Sequence, residues 1–404
     1  MASTTDTQPE TRLGDHADRA LSADELLVAA DSDIQPELSV VMPTLNEAEG
    51  IRTCITWIKT AVEELQVPTE IIVSDSSTDR TPEIARELGA IVVEPDEPGY
   101  GYAYRYAFER TRGAYIAMGD ADTTYDFTHI PRLLTQLDKT GADIVMGSRL
   151  DGEIKDGAMP TLHQYIGNPA LTKFLNIFYR AGVSDAHSGF RIFTREAYEQ
   201  MEFETTGMEF ASEMIMDAGA RDLDIAEVPI VYHEREGEET LDSFRDGWRH
   251  VRFMLVNAPG YLFSIPGLFL TIFGTSVLLF GHSDVSLNGV TLGINSMIAG
   301  SLFTILGVQV GVLGVFATIA GNPIQRPGNG VTAWLTEHAT LERGASTGLV
   351  IFAAGAVYAT WLVGTWIRSG FGPVPFTTSA LVAFTAIVIG VQIVFASFFL
   401  SSVN

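Results

Sequence analysis

The chain has 404 residues, 46 % of them hydrophobic, with 50 acidic against 25 basic side chains and a formal net charge of −25. No basic stripe of the kind that holds nucleic acid is present, so no nucleic acid is expected as a partner. The single cysteine, Cys54, excludes an internal disulfide and a cysteine-rich metal site. Only four lysines occur. An acidic, lysine-poor surface suits molar salt, where acidic groups keep their water and charges are screened; the plainer alternative is an ordinary acidic protein. From Ala258 onward three acids (Asp284, Glu337, Glu342) face three bases (Arg326, Arg343, Arg368), so the excess charge lies before that point.

Residues 1 to 36 are polar and acidic with no apolar core of a signal peptide, and are expected to form a flexible tail. From Leu38 short apolar runs, "LSVVMP", "EIIVSD", "AIVVEP", "AYIAMGD" and "ADIVMGS", alternate with helical stretches at Glu47–Leu65, Arg80–Leu88, Tyr100–Arg112 and Thr128–Thr140. Continuous apolar strands between helices predict an α/β domain with a mostly parallel sheet covered on both faces. Ligands of such sheets sit beyond the carboxyl ends of the strands. Four of these ends carry polar or turn residues: Pro43-Thr44-Leu45-Asn46-Glu47, Asp75-Ser76-Ser77, Asp120-Ala121-Asp122 and Gly147-Ser148-Arg149. One cleft is expected there.

Further along, Met159–Arg180 mixes polar and apolar residues and predicts either an interfacial amphipathic helix or an ordinary core-facing one, kinked or divided at Pro169. A second amphipathic helix is expected at Leu241–Leu255, leading into the membrane. Tyr261–Phe280, Leu292–Ala320, Thr347–Trp366 and Ser379–Leu400 are each long enough to cross ~30 Å of hydrocarbon, and their Gly, Ser and Thr suit helix packing in lipid or pairing between copies of the chain. The expected organisation is a tail at 1–36, a catalytic domain at 37–240, a juxtamembrane helix at 241–258 and four transmembrane helices at 259–404. Arg245, Arg249 and Arg252 precede the first span and Arg326 and Arg343 lie in the middle loop, whereas the loop 282–291 has no Lys or Arg. The positive-inside rule then places the large domain in the cytoplasm of a multi-pass membrane protein.

Asp120-x-Asp122 at a strand end offers two hard oxygen ligands to Mg²⁺ or Mn²⁺, though alone such a pair is also a solvated turn. Asp75 can accept hydrogen bonds from a base or a sugar, or its run can cap the next helix. Asn46 and Glu47 admit the same two readings. As a set, "VVMPTLNEAEGI", "EIIVSDSSTDRT", "GYGYAYRYAF", "GDADTTYDF", "GSRL" and "DAHSGFRIF" resemble the family 2 glycosyltransferases of the GT-A fold, most closely the polyprenyl- or dolichyl-phosphate hexose synthases.

The resemblance spans about Glu37 to Pro259. It implies that Pro43, Thr44, Asn46, Glu47 and Asp75 hold the nucleotide of a nucleotide sugar, GDP-mannose or UDP-glucose. It also implies that Asp120 and Asp122 bind the diphosphate through the metal, with Asp122 part of the catalytic set. Arg149 and Arg191, with Ser188 nearby, would meet the phosphate of a dolichyl or polyprenyl acceptor at the membrane. Both arginines are therefore catalytic candidates, and each could instead form a salt bridge. An in-line attack by the acceptor phosphate would invert the anomeric carbon.

Two departures from the family pattern stand out. Thr124 replaces a Gln often found two residues after the second Asp. Glu239-Thr240 replaces a Ser-Lys pair in the following loop, leaving Arg235 as the cation expected at the donor diphosphate. Glu209 and Glu213 could act as a base if the acceptor were a sugar hydroxyl, or form a charged helix face. The alternatives are a transferase acting on a lipid-linked glycan and a non-catalytic sugar-nucleotide sensor or scaffold in the membrane.

Overall fold

The computed structural model describes residues 20–236, 243–283, 286–287, 290–320, 324, 341–372 and 377–402. The chain divides into two compact units, one ending at Val251 and one starting at Arg252.

The first unit runs α1 (Ala23–Leu26), β1 (Leu38–Thr44), α2 (Ile51–Leu65), β2 (Thr69–Asp75), α3 (Thr81–Glu87), β3 (Ile91–Val93), α4 (Tyr100–Phe108) and β4 (Tyr115–Met118). It continues through α5 (Ile130–Thr140), β5 (Ile144–Ile154), α6 (Asn168–Tyr179), β6 (Arg191–Thr194), α7 (Arg195–Gln200), α8 (Phe210–Ala220) and β7 (Ile225–Tyr232), and α9 (Ser243–Val256) runs across the boundary at Val251. The seven strands form one sheet in the order β3-β2-β1-β4-β6-β5-β7. Only β6 runs antiparallel to its neighbours; every other pairing is parallel. The mostly parallel α/β sheet expected from the alternating pattern is therefore present. The helices between strands supply the crossovers that parallel pairing requires. On α2 the buried residues Ile51, Cys54, Ile55, Ile58 and Val62 follow helical spacing and pack with Val40, Met42, Ile71 and Val73 of the sheet. Cys54 is thus a core residue.

Three features differ from the sequence reading. First, β6 and β7 were not among the strands read from apolar runs. In β7 the run "IAEVPIVY" is broken by Glu227 and Pro229; a proline is tolerated there because β7 is an edge strand. Second, the flexible tail expected through residue 36 is corrected between Leu21 and Pro36. Ala23, Leu26 and Val28 are buried, and Val28 N–H donates to the Thr69 carbonyl beside β2. An ion pair between a buried carboxylate and a half-buried guanidinium holds this segment. Glu70, 1 % exposed, accepts from Arg112 Nε at 2.9 Å and from Ser39 Oγ at 2.6 Å, while the rest of the Arg112 fork donates to the carbonyls of Ala29 and Ser32. Residues 1–19 lie outside the described residues. Third, the stretch around Pro169 is one helical run, 161–179, with a π-turn at His163–Gly167 next to Pro169. A proline cannot donate its own backbone hydrogen bond, and a π-turn is a usual accommodation. The run buries Leu175 and Tyr179 but exposes Leu162, Tyr165, Ile166 and Ile177.

The second unit contains α10 (Ile265–His282), α11 (Ile294–Ala320), α12 (Leu341–Arg368) and α13 (Thr377–Ser401). Among the described residues these make four helices long and apolar enough to cross a membrane, the first reaching back to Gly260. Glycines let the backbones touch. A Cβ on Gly274 would lie 2.5 Å from the Gly300 carbonyl of α11, and one on Gly390 would lie 2.4 Å from Phe352 N of α12. Ser301 and Thr385 share a hydrogen bond of 2.6 Å between α11 and α13. Small residues and interhelical hydrogen bonds are the expected means of packing in lipid.

Glu70→Ala leaves Arg112 without its carboxylate and unlocks the 21–36 segment. It should destabilise the first unit by about 2 kcal/mol, measured as a lower Tm of the full chain in molar KCl. An unchanged Tm would mean that the pair does not hold the segment.

Candidate active site

The carboxyl ends of β1, β2 and β4 lie side by side, with Thr44 opposite Asp75 and Val41 opposite Met118. Thr44 Oγ1 donates to Asp75 Oδ1 at 2.7 Å, and the Ser77 N–H donates to Asp75 Oδ2 at 3.3 Å. The turn after β1 is laced to the loop after β2. Asn46 N–H donates to Ser77 Oγ, Asn46 Oδ1 accepts from Thr78 N–H, and Glu47 N–H donates to Thr81 Oγ1. Asn46 has φ of 59°, a left-handed conformation that asparagine tolerates better than most residues. This turn is why α2 begins at Ile51 rather than at Glu47. The helix-capping role considered for the Asp75 run falls to Asp79, which accepts from Thr81 N–H at 2.9 Å and Thr81 Oγ1 at 2.5 Å.

The acidic run after β4 separates into three functions. Asp126 caps the turn Phe127–His129 by accepting from Thr128 N–H. Asp122 is oriented by Thr124, whose N–H and Oγ1 donate to Oδ1 at 3.1 and 2.5 Å. Thr124 therefore supports Asp122 instead of adding a third ligand. Asp120 accepts from Tyr100 Oη at 2.8 Å and Tyr104 Oη at 3.3 Å. These tyrosines, one turn apart on α4, have roles that motif reading left unassigned; the i, i+4 spacing in "GYGYAY" was the available signal.

Arg235 reaches this cluster because the chain after β7 pairs with the acidic loop. Tyr125 bridges Tyr232, His233 N–H donates to the Thr124 carbonyl, and Glu236 N–H donates to the Asp122 carbonyl. Its guanidinium contacts Glu47 Oε1 at 2.5 Å and Asp122 Oδ2 at 3.6 Å. One guanidinium thus faces three carboxylates. Burial, reinforced by Asp122, pushes Asp120 up to about 6. Burial also pushes Glu47 up to about 7; Arg235 opposes the shift, and Asp122 and Asp120 add to it. Among the described residues no group of three or more His, Cys, Asp or Glu forms a metal cage. Asp120 and Asp122, oriented by the tyrosines and by Thr124 and sharing only Arg235 as a cation, nevertheless fit a hard divalent cation that takes its remaining ligands from water and substrate phosphates.

The two arginines differ. Arg149 sits where the β5–β7 register breaks after Ser148. It makes a buried fork with Asp185, Nε to Oδ2 at 2.7 Å and Nη2 to Oδ1 at 2.8 Å, and its own N–H adds a third bond at 3.0 Å. Burial would raise Asp185, but Arg149 outweighs it and holds the carboxyl below the usual range. The salt-bridge reading of Arg149 is therefore realised in this structure, 5.3 Å over the Tyr232 ring. Arg191 is fully buried and has only carbonyl partners: Ser188 O at 2.9 Å, Ala186 O at 3.1 Å and Ala211 O at 2.9 Å. Burial pulls its guanidinium down to about 10. Its Nη1 and the neighbouring Ser188 Oγ are buried without partners. Glu213 is not a charged face: it is buried and accepts from Glu204 N–H, Thr205 N–H and Thr205 Oγ1. Glu209 Oε2 is shielded and makes no hydrogen bond, but it forms an ion pair with Arg249 Nε at 4.0 Å.

A family model described as glycosyl transferase family 2 matches residues 39–202, and one described as the glycosyltransferase family 2 C-terminal transmembrane region matches residues 315–404. The low-salt glycan biosynthesis hexosyltransferase Agl6 of Haloferax volcanii is 58 % identical over 383 residues, covering 95 % of this chain and 93 % of that protein. The chain is a family 2 glycosyltransferase. It is a membrane enzyme of haloarchaeal type, with a GT-A domain followed by apolar helices. A dolichyl-phosphate hexose transferase of the same organism is 36 % identical to this glycosyltransferase over 214 residues, covering 52 % of this chain and 89 % of that one. A glucosyl-3-phosphoglycerate synthase of Mycobacterium tuberculosis, solved with Mn²⁺, UDP and glucosyl-3-phosphoglycerate, is 25 % identical with a TM-score of 0.45. That likeness covers 55 % of this chain and 80 % of that one.

The raised Asp120 and Glu47 bind protons more tightly in the folded glycosyltransferase than in the unfolded chain. Their contribution to stability is present at low pH and lost as pH rises through their folded values. The Tm of metal-free protein should fall between about pH 5 and 8, and Asp120→Asn should flatten that fall. The lowered His187 acts in the opposite direction in both proteins, so a pH dependence of Tm that is identical in the variant would show that the acids are not crowded as described.

Proposed function

We propose that this enzyme moves a hexose from a nucleotide sugar, GDP-mannose or UDP-glucose, to dolichyl phosphate at the cytoplasmic face of the membrane, with inversion. Such a product would supply lipid-linked sugar for surface protein glycosylation. The observation that carries the reading is Arg191: a buried cation with no carboxylate partner among the described residues and one unsatisfied Nη1 beside an unsatisfied Ser188 hydroxyl. A buried charge left uncompensated is costly, so the site is built for an incoming anion. Phosphate suits a guanidinium fork. It is also ionised at neutral pH, so it needs orientation rather than a general base to attack. The name of the dolichyl-phosphate hexose transferase relative supports the same acceptor.

On the donor side, Pro43, Thr44, Asn46, Glu47 and Asp75 form the nucleotide end of the cleft. Asp75, fixed by Thr44, accepts from the base or ribose. Arg235 lies where the diphosphate would be and retains an unpartnered Nε. Mg²⁺ or Mn²⁺ on Asp120 and Asp122 would stabilise the charge that develops on the departing nucleoside diphosphate. Arg149, tied to Asp185, lends its charge to the acceptor side without offering a free fork. The exposed Leu162, Tyr165, Ile166 and Ile177 suit a helix lying in the membrane interface, where the acceptor's phosphate can enter while its chain stays in lipid. Arginines before the first span and in the middle loop support the cytoplasmic orientation.

A second reading has a specific observation in its favour. Glu209 Oε2, shielded and without a hydrogen bond though 4.0 Å from Arg249 Nε, could serve as a base toward a sugar hydroxyl, as a lipid-linked glycan acceptor would require.

Membranes carrying the protein in molar KCl with Mg²⁺ or Mn²⁺ should move label from one of radiolabelled UDP-glucose or GDP-mannose into the organic phase when dolichyl phosphate is added. EDTA should abolish transfer, and Asp122→Ala should lower it by at least about a hundredfold. Transfer only to lipid-linked glycans would favour the Glu209 reading; no transfer to either would leave a sensor or scaffold.

A further inference from the structure

One buried polar cluster is unused by the chemistry above. Ser212, on α8, lies between two imidazoles, with Oγ 3.2 Å from His187 Nε2 and 2.8 Å from His250 Nδ1. The two rings meet edge to face at 5.0 Å. His187 belongs to the same segment as Ser188 and Arg191, and His250 is carried by α9. Ser212 is fully buried. The His187 ring is part-exposed overall, but its Nδ1 is shielded and has no partner. Three unpartnered polar atoms, His187 Nδ1, Ser188 Oγ and Arg191 Nη1, therefore occur within five consecutive residues.

The hydrogen-bond arithmetic restricts the state of His187. Burial, with His250 second, pushes its imidazolium down to about 3, so the ring is neutral and carries one proton. A serine hydroxyl has one proton and can donate it to only one of two flanking rings. If Ser212 donates to His187 Nε2, the His187 proton must sit on Nδ1, and His250 Nδ1–H donates to Ser212 Oγ. If Ser212 instead donates to His250, His187 turns a bare lone pair outward. Arg149 and Arg191 both act electrostatically on His187, and an anion drawn to them would select the tautomer that offers an N–H.

Building on the acceptor reading above, we propose that His187 donates Nδ1–H to the acceptor phosphate together with Ser188 and Arg191, in a tautomer set by Ser212 and His250. Ser212 and His250 are positioning residues. Because His250 is on α9, the helix that leads toward the first apolar span, the relay ties the geometry of that helix to the phosphate site. No bond is made or broken by the relay; it fixes a donor.

The test is steady-state kinetics on the full chain in molar KCl, with dolichyl phosphate and the active nucleotide sugar each varied. His187→Ala should raise the KM for dolichyl phosphate roughly tenfold or more, as loss of a hydrogen bond to a charged group implies, with the donor KM moved by less than about twofold. His187→Asn, whose amide N–H can occupy the Nδ1 position, should recover most of the loss. Ser212→Ala and His250→Ala should raise the acceptor KM in the same sense by roughly threefold. An unmoved acceptor KM in His187→Ala, equal changes in both KM values, or an Asn variant as impaired as Ala would overturn the proposal. Wild-type protein that transfers nothing to dolichyl phosphate would overturn the acceptor reading and this proposal with it, whereas wild-type transfer with an unmoved acceptor KM defeats this proposal alone.

Discussion

Excess negative charge at one point of the sheet organises the catalytic unit. Glu47, Asp120 and Asp122 converge beyond the ends of β1 and β4, and Arg235 alone among the described cations forms an ion pair with them. Like charges brought together and away from water resist ionisation, which is why Asp120 and Glu47 are both pushed up. The surroundings hold the cluster in shape rather than neutralise it: tyrosine hydroxyls on Asp120, Thr124 on Asp122, and paired backbone that brings Arg235 across. A divalent cation with a diphosphate would complete such a site.

The opposite problem is found toward the β5–β6 side of the sheet. There two arginines are buried, and the protein treats them differently. Arg149 receives a full carboxylate partner, itself braced by Glu227, which accepts from Ser184 N–H and Asp185 N–H through its own oxygens. Arg191 receives only carbonyl oxygens. The first arrangement closes a charge pair; the second leaves a charge that an anion can still satisfy. The proposed donor end is thus short of positive charge and the proposed acceptor end short of negative charge. Substrates bearing a diphosphate with its cation, and a monophosphate, would relieve both.

Much of this was legible in the sequence because strand order follows local rules. Apolar runs ending near Thr44, Asp75 and Asp120 identify parallel strands whose carboxyl ends lie together, where a cleft was expected. Long-range pairings were not legible. Asp185 lies 36 residues from Arg149 and Glu70 lies 42 from Arg112, so no local pattern reveals that one arginine is tied and that the 21–36 segment is packed. Strand β7 was hidden because a half-buried glutamate and an edge proline interrupt its apolar run. Glu213 looked like surface charge because a helix position alone does not show that three backbone and side-chain donors, from Glu204 and Thr205, surround it.

The acid cluster, on the reading proposed above, is an incomplete metal site that a nucleoside diphosphate completes. Free Mn²⁺ can be followed by electron paramagnetic resonance in titrations of the full-length protein, with and without UDP or GDP. The account predicts weak Mn²⁺ binding to the protein alone, markedly tighter binding when one nucleotide is present, and loss of the enhancement in Asp122→Ala. Tight binding without nucleotide, or an enhancement that survives the substitution, would contradict it.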